Sequence, residues 1–148
     1  MSPVFEIKRF NELSVTELYN VLKLRSEVFV VEQTCIYPDM DGKDYKALHL
    51  IGNHEGEIVA YARLFRPGDY FENASIGRVA IDPRFRKRQW GQLLMQQAIN
   101  GIAKHFRQTN ITISAQLYLQ SFYEALGFVV QGTPYDEDGI PHVQMLRS

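Results

Sequence analysis

The stretch Asp82-Pro-Arg-Phe-Arg-Lys-Arg-Gln-Trp-Gly-Gln-Leu-Leu-Met95 places four of the chain's sixteen Lys and Arg residues within five positions. A strand pattern precedes it, and a helical pattern begins at Gly91. The first N–H groups of a helix have no intrahelical partner, and the helix dipole adds about half a positive charge there. A glycine lets a ligand approach the backbone, and flanking cations strengthen anion binding. The stretch therefore predicts a phosphate-binding site at a helix N-terminus.

Two other interpretations of these charges remain open from the residues alone. Runs of like charge are most often solvated loops, and basic clusters also bind nucleic acid. A Walker-type phosphate loop is excluded because no Gly-Lys-Ser/Thr follows the strand. The three-glycine dinucleotide motif is excluded because Gly91 stands alone. The position of the charges, between a strand and a helix, favours phosphate binding.

The composition is that of an ordinary globular protein. The 148 residues are 45% hydrophobic and 22% charged, with a net charge of −1, and the pI of 6.4 argues against a nucleic-acid-coating protein. Cys35 is the single cysteine, which excludes an internal disulfide and is typical of a reducing compartment. The N-terminal residues lack the apolar segment of a signal peptide, and no run approaches membrane-spanning length. We expect one soluble, cytoplasmic domain over residues 1–148, with neither a membrane nor nucleic acid as partner.

Hydrophobic periodicity predicts the order of the secondary structure. Ser14-Val-Thr-Glu17 has the pattern of a capping box and opens a first helix that runs into Phe29-Val-Val-Glu-Gln33. Residues 34–46 form an irregular polar stretch. The expected strands cover residues 4–10, 47–53, 57–65, 74–81, 110–115, 128–131 and 142–146, and later helices cover 91–106 and 119–126. This order predicts an α/β domain around a mixed sheet.

Two motifs resemble those of the GNAT superfamily of N-acetyltransferases. Gly77-Arg-Val-Ala-Ile-Asp82 with Arg86-Lys-Arg-Gln-Trp-Gly91 resembles motif A, which wraps the pyrophosphate of acetyl-coenzyme A. Gln116 with Phe122-Tyr-Glu-Ala-Leu-Gly-Phe128 resembles motif B, in the expected order and spacing. Leu24–Gln33, Asp39-Met-Asp41, His49 and Glu137-Asp-Gly-Ile-Pro-His142 are similar to segments of the ElaA-like family. The resemblance covers nearly the whole chain and implies a GNAT-like α+β fold with a mostly antiparallel sheet flanked by helices.

The chain departs from the family pattern at three places. Gln89 stands where motif A usually has its first glycine, and Gln116 replaces an Asn often found in motif B. Many GNAT enzymes carry a carboxylate base on the strand that corresponds to residues 74–81, and this strand has none. The resemblance therefore does not identify the general base.

The resemblance implies acetyl-CoA as cosubstrate, no metal, and direct attack by a primary amine in a ternary complex. Backbone N–H groups of Val79 and Ile81 are expected to hold the pantetheine arm. Tyr123 matches the motif B tyrosine that is proposed to protonate the departing thiolate. The remaining expected acetyl-CoA contacts are Arg86, Lys87, Arg88, Gln89, Trp90, Gly91, Gln92 and Gln116.

Three side chains are candidates for the general base, and a water relay to solvent is a fourth possibility. His49 and His142 suit the role because histidine titrates near neutral pH. Glu32 ends the first helix, where negative charge is disfavoured, so it is expected to have a partner such as Arg63 or Arg78. Neither Cys35 with the nearby histidines nor the Asp39-x-Asp41 pattern has the spacing of a metal site.

The acceptor and the assembly are less constrained by the sequence. A pocket near Glu32, Asp39, Asp41 and Asp138 would be acidic and would favour a cationic amine, such as a polyamine, an amino sugar or a lysine side chain. An edge strand of the sheet offers a route to a homodimer. The alternative to an enzyme is a catalytically weak CoA-binding sensor or interaction module that has kept the fold, and the missing strand carboxylate favours it.

Overall fold

The computed structural model describes all 148 residues and contains one seven-stranded sheet. The spatial order is β1-β2-β3-β4-β5-β7-β6, and every neighbouring pair is antiparallel except β4 and β5. The predicted mixed, mostly antiparallel sheet is therefore confirmed. The strands are β1 Val4–Arg9, β2 Leu48–His54, β3 Glu57–Phe65, β4 Ala74–Ile81, β5 Ile111–Gln116, β6 Val129–Glu137 and β7 Ile140–Arg147.

Three α-helices flank the sheet: α1 Val15–Arg25, α2 Trp90–Phe106 and α3 Gln120–Glu124. The predicted capping box opens α1, because Ser14 Oγ accepts from the Glu17 N–H at 3.0 Å and Glu17 Oε1 accepts from the Ser14 N–H at 2.9 Å. The helix then continues as a π-helical segment, Ser26–Glu32, which the sequence did not predict. None of the helices has the length and apolar character needed to cross a bilayer.

The sheet separates two hydrophobic clusters. The larger one joins α2 to one face of the sheet and includes Leu50, Leu94 and Ala98. The smaller one joins α1 to the other face and includes Val21 and Ile51. Successive strand residues point to opposite faces, which is why neighbouring Leu50 and Ile51 belong to different clusters. The sheet is thus covered on both sides, and its strand ends are left to form the cleft.

The strands β4 and β5 separate soon after they meet. They pair only at Ala74 with Ile111 and at Ser75 with Thr112, although β4 continues to Ile81 and β5 to Gln116. The unpaired lengths of the two strands border an opening in the middle of the sheet. Backbone N–H and C=O groups along this opening have no ladder partner, so they are available to a ligand.

A β-bulge lies in β4 beside this opening. Tyr61 of β3 pairs with Ala80 and Arg63 pairs with Gly77, so a single β3 residue opposes both Arg78 and Val79. Arg78 takes a left-handed backbone conformation with φ of 49°. A bulge bends its strand and takes one residue out of the hydrogen-bond ladder. The bulge therefore turns β4 at the position where the Val79 amide is expected to act.

A buried ion network fastens the irregular segment 36–46 to the helix and sheet. Arg25 has no exposed surface, and its guanidinium donates to Asp39 Oδ2 at 2.8 Å and to Asp44 Oδ1 at 2.8 Å. Arg63 is also fully buried and donates to both carboxylate oxygens of Asp41 at 2.8 Å. Each arginine is thereby matched by a carboxylate in a region that excludes water.

A third arginine completes the network. Arg78 Nε lies 2.9 Å from Asp39 Oδ1, and Arg78 Nη2 donates to the Asp39 carbonyl at 2.9 Å. Arg63 also donates to Asp44 at 3.0 Å. Three arginines therefore meet three aspartates, and the charges cancel. The expectation that Asp39 and Asp41 give the acceptor pocket free negative charge is wrong for this reason.

The network shifts the pKa values of its carboxylates. Burial alone would raise the pKa of Asp41, but hydrogen bonds from Arg63 and from the Lys43 amide outweigh burial and bring the pKa to about 2. Burial would also raise the pKa of Asp44, but its contacts with Arg25 and Arg63 together hold that pKa below its ordinary value. Both carboxylates are therefore ionised throughout the physiological range.

Replacing Arg25 with methionine should strongly destabilise the protein. The substitution leaves Asp39 and Asp44 buried with part of their compensation removed, and breaking such a pair typically costs about 3–5 kcal/mol. Urea unfolding measures the change. Arg9→Met is the matched control, because Arg9 makes an exposed ion pair with Glu12, and such pairs contribute about 0–1 kcal/mol. Equal effects of the two substitutions would contradict the structural role of the network.

The stability that Asp41 contributes should be lost in acid. Its folded-state pKa of about 2 lies below the ordinary 3.8, so as the pH falls the unfolded chain takes up the proton first. We expect the difference in unfolding free energy between wild type and Asp41→Asn to be constant above about pH 4 and to shrink as the pH falls from 3.8 toward about 2. Urea titrations at a series of pH values measure it, and a difference that widens on acidification would refute the assignment.

Candidate active site

A cleft of about 730 Å³ lies where β4 and β5 separate. Its volume is within the range of small-molecule sites in proteins. The unpaired parts of β4 and β5 form its floor, and the π-helical segment, the N-terminus of α2, α3 and the β6–β7 turn form its walls. Most of the residues predicted to bind the cosubstrate line this one cleft: Val79, Ile81, Arg86, Lys87, Gln89, Trp90, Gly91, Gln92 and Gln116.

The N-terminus of α2 is open to an anion. Gln89 precedes the helix without a side-chain capping bond, and the first turn contains no acidic residue. An added Cβ at Gly91 would have only Phe122 as a neighbour, at 3.5 Å, so the protein itself does not fill the space in front of the backbone. The first N–H groups of α2 therefore keep both their donors and the positive end of the helix dipole for a ligand.

The backbone conformation of Gln89 explains why motif A usually has a glycine there. Gln89 has φ of 61°, and Lys87 just before it has φ of 65°. Glycine adopts this left-handed region freely, whereas other residues pay a strain of about 1–2 kcal/mol. Gln89 therefore adopts the backbone conformation that a glycine would adopt at this position, and the turn before α2 is retained.

Two of the four clustered cations reach the cleft. Arg86 and Lys87 line it, but Arg84 is held by Asp82 at 2.9 Å. Arg88 lies over the rings of Phe85 and Trp90, at 5.2 and 5.5 Å from their centres, and it is outside the cleft lining. The sequence alone could not separate these roles, because adjacent loop residues point in different directions.

Glu32 contacts a different arginine from those expected. Both of its carboxylate oxygens accept from Arg86, with an Nη2–Oε1 distance of 2.7 Å. Arg63 and Arg78 are already engaged in the buried network, so the prediction of either as partner is wrong. The ion pair ties the end of the π-helical segment to the loop that precedes α2.

A second link crosses the cleft beside this ion pair. The side-chain amides of Gln33 and Gln116 donate to each other at 3.1 and 3.3 Å. Gln116 thus lies in the cleft as predicted for a motif B residue, with its amide held by a residue that sequence analysis gave no role.

The two histidine candidates lie in different environments. His49 has no exposed surface, and its ring nitrogens contact the Tyr61 hydroxyl at 2.6 Å and the Asp44 carbonyl at 2.9 Å. Burial lowers the pKa of His49, and the residue does not line the cleft. His49 contacts the buried network through the Asp44 carbonyl and lies outside the cleft lining.

His142 lines the cleft and has a defined tautomer. Its Nδ1 lies 2.7 Å from the Ile140 carbonyl, which can only accept, so Nδ1 carries a proton. In the neutral ring Nε2 is then the basic nitrogen, and it lies 3.4 Å from Glu137 Oε2. Glu137 has no catalytic role predicted from the sequence, although it belongs to the segment Glu137–His142 that resembles the ElaA-like family. The β6–β7 hairpin register, which pairs Tyr135 with His142, could have indicated that Glu137 lies near this ring.

Tyr123 lies in the cleft wall on α3 and is 7% exposed. Phe122 and Phe128 contact its ring edge to face, at centroid distances of 5.1 and 5.9 Å. Burial raises the pKa of Tyr123 above its ordinary value. The phenol is therefore protonated at neutral pH and has a proton to donate to a strong base.

The fold and the cleft are those of the GNAT class of acyltransferases. The family model of the acetyltransferase (GNAT) domain matches residues 14–148, which is most of the chain. The chain therefore belongs to the GNAT family, whose fold implies an acyl-CoA ligand.

Within that family the chain is ElaA-like. It is 42% identical over 139 residues to the protein ElaA of Escherichia coli strain K12, covering 93% of this chain and 91% of that protein. It is 44% identical over 143 residues to a UPF0039 protein of Schizosaccharomyces pombe, covering 95% and 94%. The crystal structure of an acyl-CoA N-acyltransferase from Pseudomonas aeruginosa superposes with a TM-score of 0.94 at 38% identity, over 99% of this chain and all of that one.

Proposed function

We propose that the protein is an acetyl-CoA-dependent N-acetyltransferase that transfers the acetyl group to a primary amine by direct attack in a ternary complex. The observation that carries this proposal is the uncapped N-terminus of α2, which opens into the cleft between β4 and β5 beside Arg86 and Lys87. An uncapped helix end suits a pyrophosphate, and Lys87 adds a cation there, while Arg86 would have to exchange Glu32 for the phosphate. The separated strands provide the long groove that a pantetheine arm needs.

The backbone of β4 would hold and polarise the thioester. Val79 and Ile81 have no partner residue on β5, so their N–H groups would border the groove, and Val79 is part of the bulge. A fixed N–H donor aimed at the developing oxyanion is worth about 2.7–4 kcal/mol in other acyl-transfer enzymes. Ile81 would continue the same row of contacts toward the phosphates.

Two side chains of the cleft, His142 and Tyr123, would perform the two proton transfers. His142 Nε2 would accept the proton of the incoming amine, because its other nitrogen is fixed as a donor to Ile140. Tyr123 would protonate the departing thiolate, as its match to motif B implies. Burial raises its pKa, so the transfer depends on the phenol being positioned against the sulfur. Glu32 is a weaker candidate for the base, because both of its oxygens are engaged with Arg86.

Binding of acetyl-CoA is tested first by thermal unfolding. Ligand at 100 times its dissociation constant should add about 2.7 kcal/mol to the stability. The double variant Arg86→Ala/Lys87→Ala should lose most of this stabilisation. Lys104→Ala/Arg107→Ala is the matched control, because it removes two exposed cations at the opposite end of α2. Absence of a shift for the wild type at millimolar acetyl-CoA would refute the proposal.

Turnover separates the enzyme from the second candidate, a CoA-binding sensor or interaction module, which the lack of a carboxylate on β4 favours. For an enzyme we expect Tyr123→Phe to lower kcat by about 10²–10⁴, since positioned acids and bases contribute about that much. The affinity for acetyl-CoA should be unchanged, and release of free thiol in an amine screen measures kcat. Acetyl-CoA binding without thiol release by any amine would support the sensor instead.

A further inference from the structure

One end of the cleft is walled by aromatic rings that packing holds rigid. Phe65, Tyr70 and Phe71 line this end, here called the aromatic wall. Tyr70 stacks on Phe65 with ring centres 5.1 Å apart and planes 16° from parallel, and Phe71 meets Tyr70 edge to face at 5.0 Å. Phe65 is buried, with the Arg63 guanidinium 4.9 Å from its ring centre, and Lys43 Nζ lies 5.6 Å from the ring centre of Tyr70. Tyr70 and Phe71 therefore present the apolar surface of this wall, and their mutual packing limits the conformational entropy lost on binding.

The same part of the cleft contains carboxylates without a Lys or Arg partner. Glu137 contacts only the Ser114 hydroxyl, at 3.3 Å, and His142 Nε2, at 3.4 Å. Asp138 lines the cleft next to it and makes no ion pair. Glu137 and Tyr70 line the same cleft. Burial raises the pKa of Tyr70, and the negative charge of Glu137 acts in the same direction. An ammonium group between them would meet both a carboxylate and the faces or edges of rings.

A second positive charge would not be accommodated in the same way. Arg63 and Arg78 also line this end of the cleft. Their aspartate partners Asp39 and Asp41 are fully engaged with them, so the buried network offers no further carboxylate. A polyamine would therefore bring its second ammonium either toward these arginines or to Asp138, the carboxylate next to Glu137.

The strand beneath this region leaves room for a bulky group. An added Cβ at Gly77 would meet no atom within 4 Å, and the residue has no left-handed backbone angle. Neither packing nor backbone conformation requires glycine at this position. The free volume above Gly77 is therefore available to a substrate.

We propose that the amine acceptor is a primary monoamine with a flat apolar body, of the arylalkylamine class, whose ammonium lies against Glu137 and whose ring packs on the aromatic wall. This inference rests on the proposed function and specifies its acceptor. The ammonium gives one proton to His142 Nε2, and Glu137 stabilises the resulting imidazolium. The amine nitrogen then forms a bond to the acetyl carbon as the carbon–sulfur bond breaks, and the thiolate takes the proton of Tyr123. The Tyr123 phenolate regains a proton from the acylated nitrogen, which becomes the neutral amide, and His142 releases its proton to solvent.

The test is calorimetric binding of amines to the protein saturated with CoA, which cannot react. We expect 2-phenylethylamine to bind about tenfold more tightly than putrescine, spermidine or Nα-acetyl-lysine amide, a difference of about 1.4 kcal/mol. Glu137→Gln should weaken 2-phenylethylamine about tenfold, since it removes a charge-assisted contact. Glu55→Gln, in the exposed β2–β3 turn, is the control and should leave binding unchanged.

A second variant tests the aromatic wall separately from the charge. Phe71→Ala should weaken 2-phenylethylamine and leave ethylamine, which has no ring, unaffected. Putrescine or spermidine binding as tightly as 2-phenylethylamine would overturn the inference, and so would unchanged affinity in Glu137→Gln protein that still binds CoA. A wild-type protein that shows no CoA-induced stabilisation would overturn the proposed function itself, and that readout is independent of any amine.

Discussion

The buried network of three arginines and three aspartates is the constraint on which the rest of the structure depends. Arg25 and Arg63 have almost no exposed surface, so each must be compensated in place. Their partners come from the irregular segment 36–46, which has few apolar residues with which to hold itself to the sheet. Because the attraction between buried charges only just offsets their desolvation, the network acts mainly by fixing one arrangement of this segment. That arrangement places Tyr37 in the cleft lining and neutralises Arg63 and Arg78, which leaves Glu137 and Asp138 as the carboxylates of the lining without a Lys or Arg partner.

The second constraint is the early separation of β4 and β5. β4 and β5 are the only parallel neighbours in the sheet, and they pair at two positions. The bulge at Arg78 and Val79 bends β4 just beyond this paired part. Arg78 connects the two constraints, since its backbone forms the bulge and its side chain binds Asp39. Strand geometry thus produces a groove bordered by backbone groups without a β5 partner, and the N-terminus of α2 opens into the same cleft. Site and fold are therefore parts of the same arrangement of the backbone.

Much of the fold could be predicted from local pattern. The strand over 74–81 and the Ser14–Glu17 capping box appear as expected, because alternation and capping chemistry act over a few neighbouring residues. Strand β6 was expected over 128–131 but extends to Glu137. It is an edge strand with mostly exposed residues, so no apolar alternation marks its second half. The π-helical segment likewise has no distinct sequence signal, since its residues are compatible with an ordinary helix.

The sequence by itself determined the family and the mixed sheet, because these depend on motifs and periodicities of neighbouring residues. Only the tertiary structure decided which charged groups face one another. Glu32 pairs with Arg86 and not with Arg63 or Arg78, and His142 lines the cleft while His49 is buried behind the network. Side chains far apart in sequence are brought together by strand order and bulge geometry. The sequence position of a charged residue does not identify its ion-pair partner, so these pairings are determined by the folded chain.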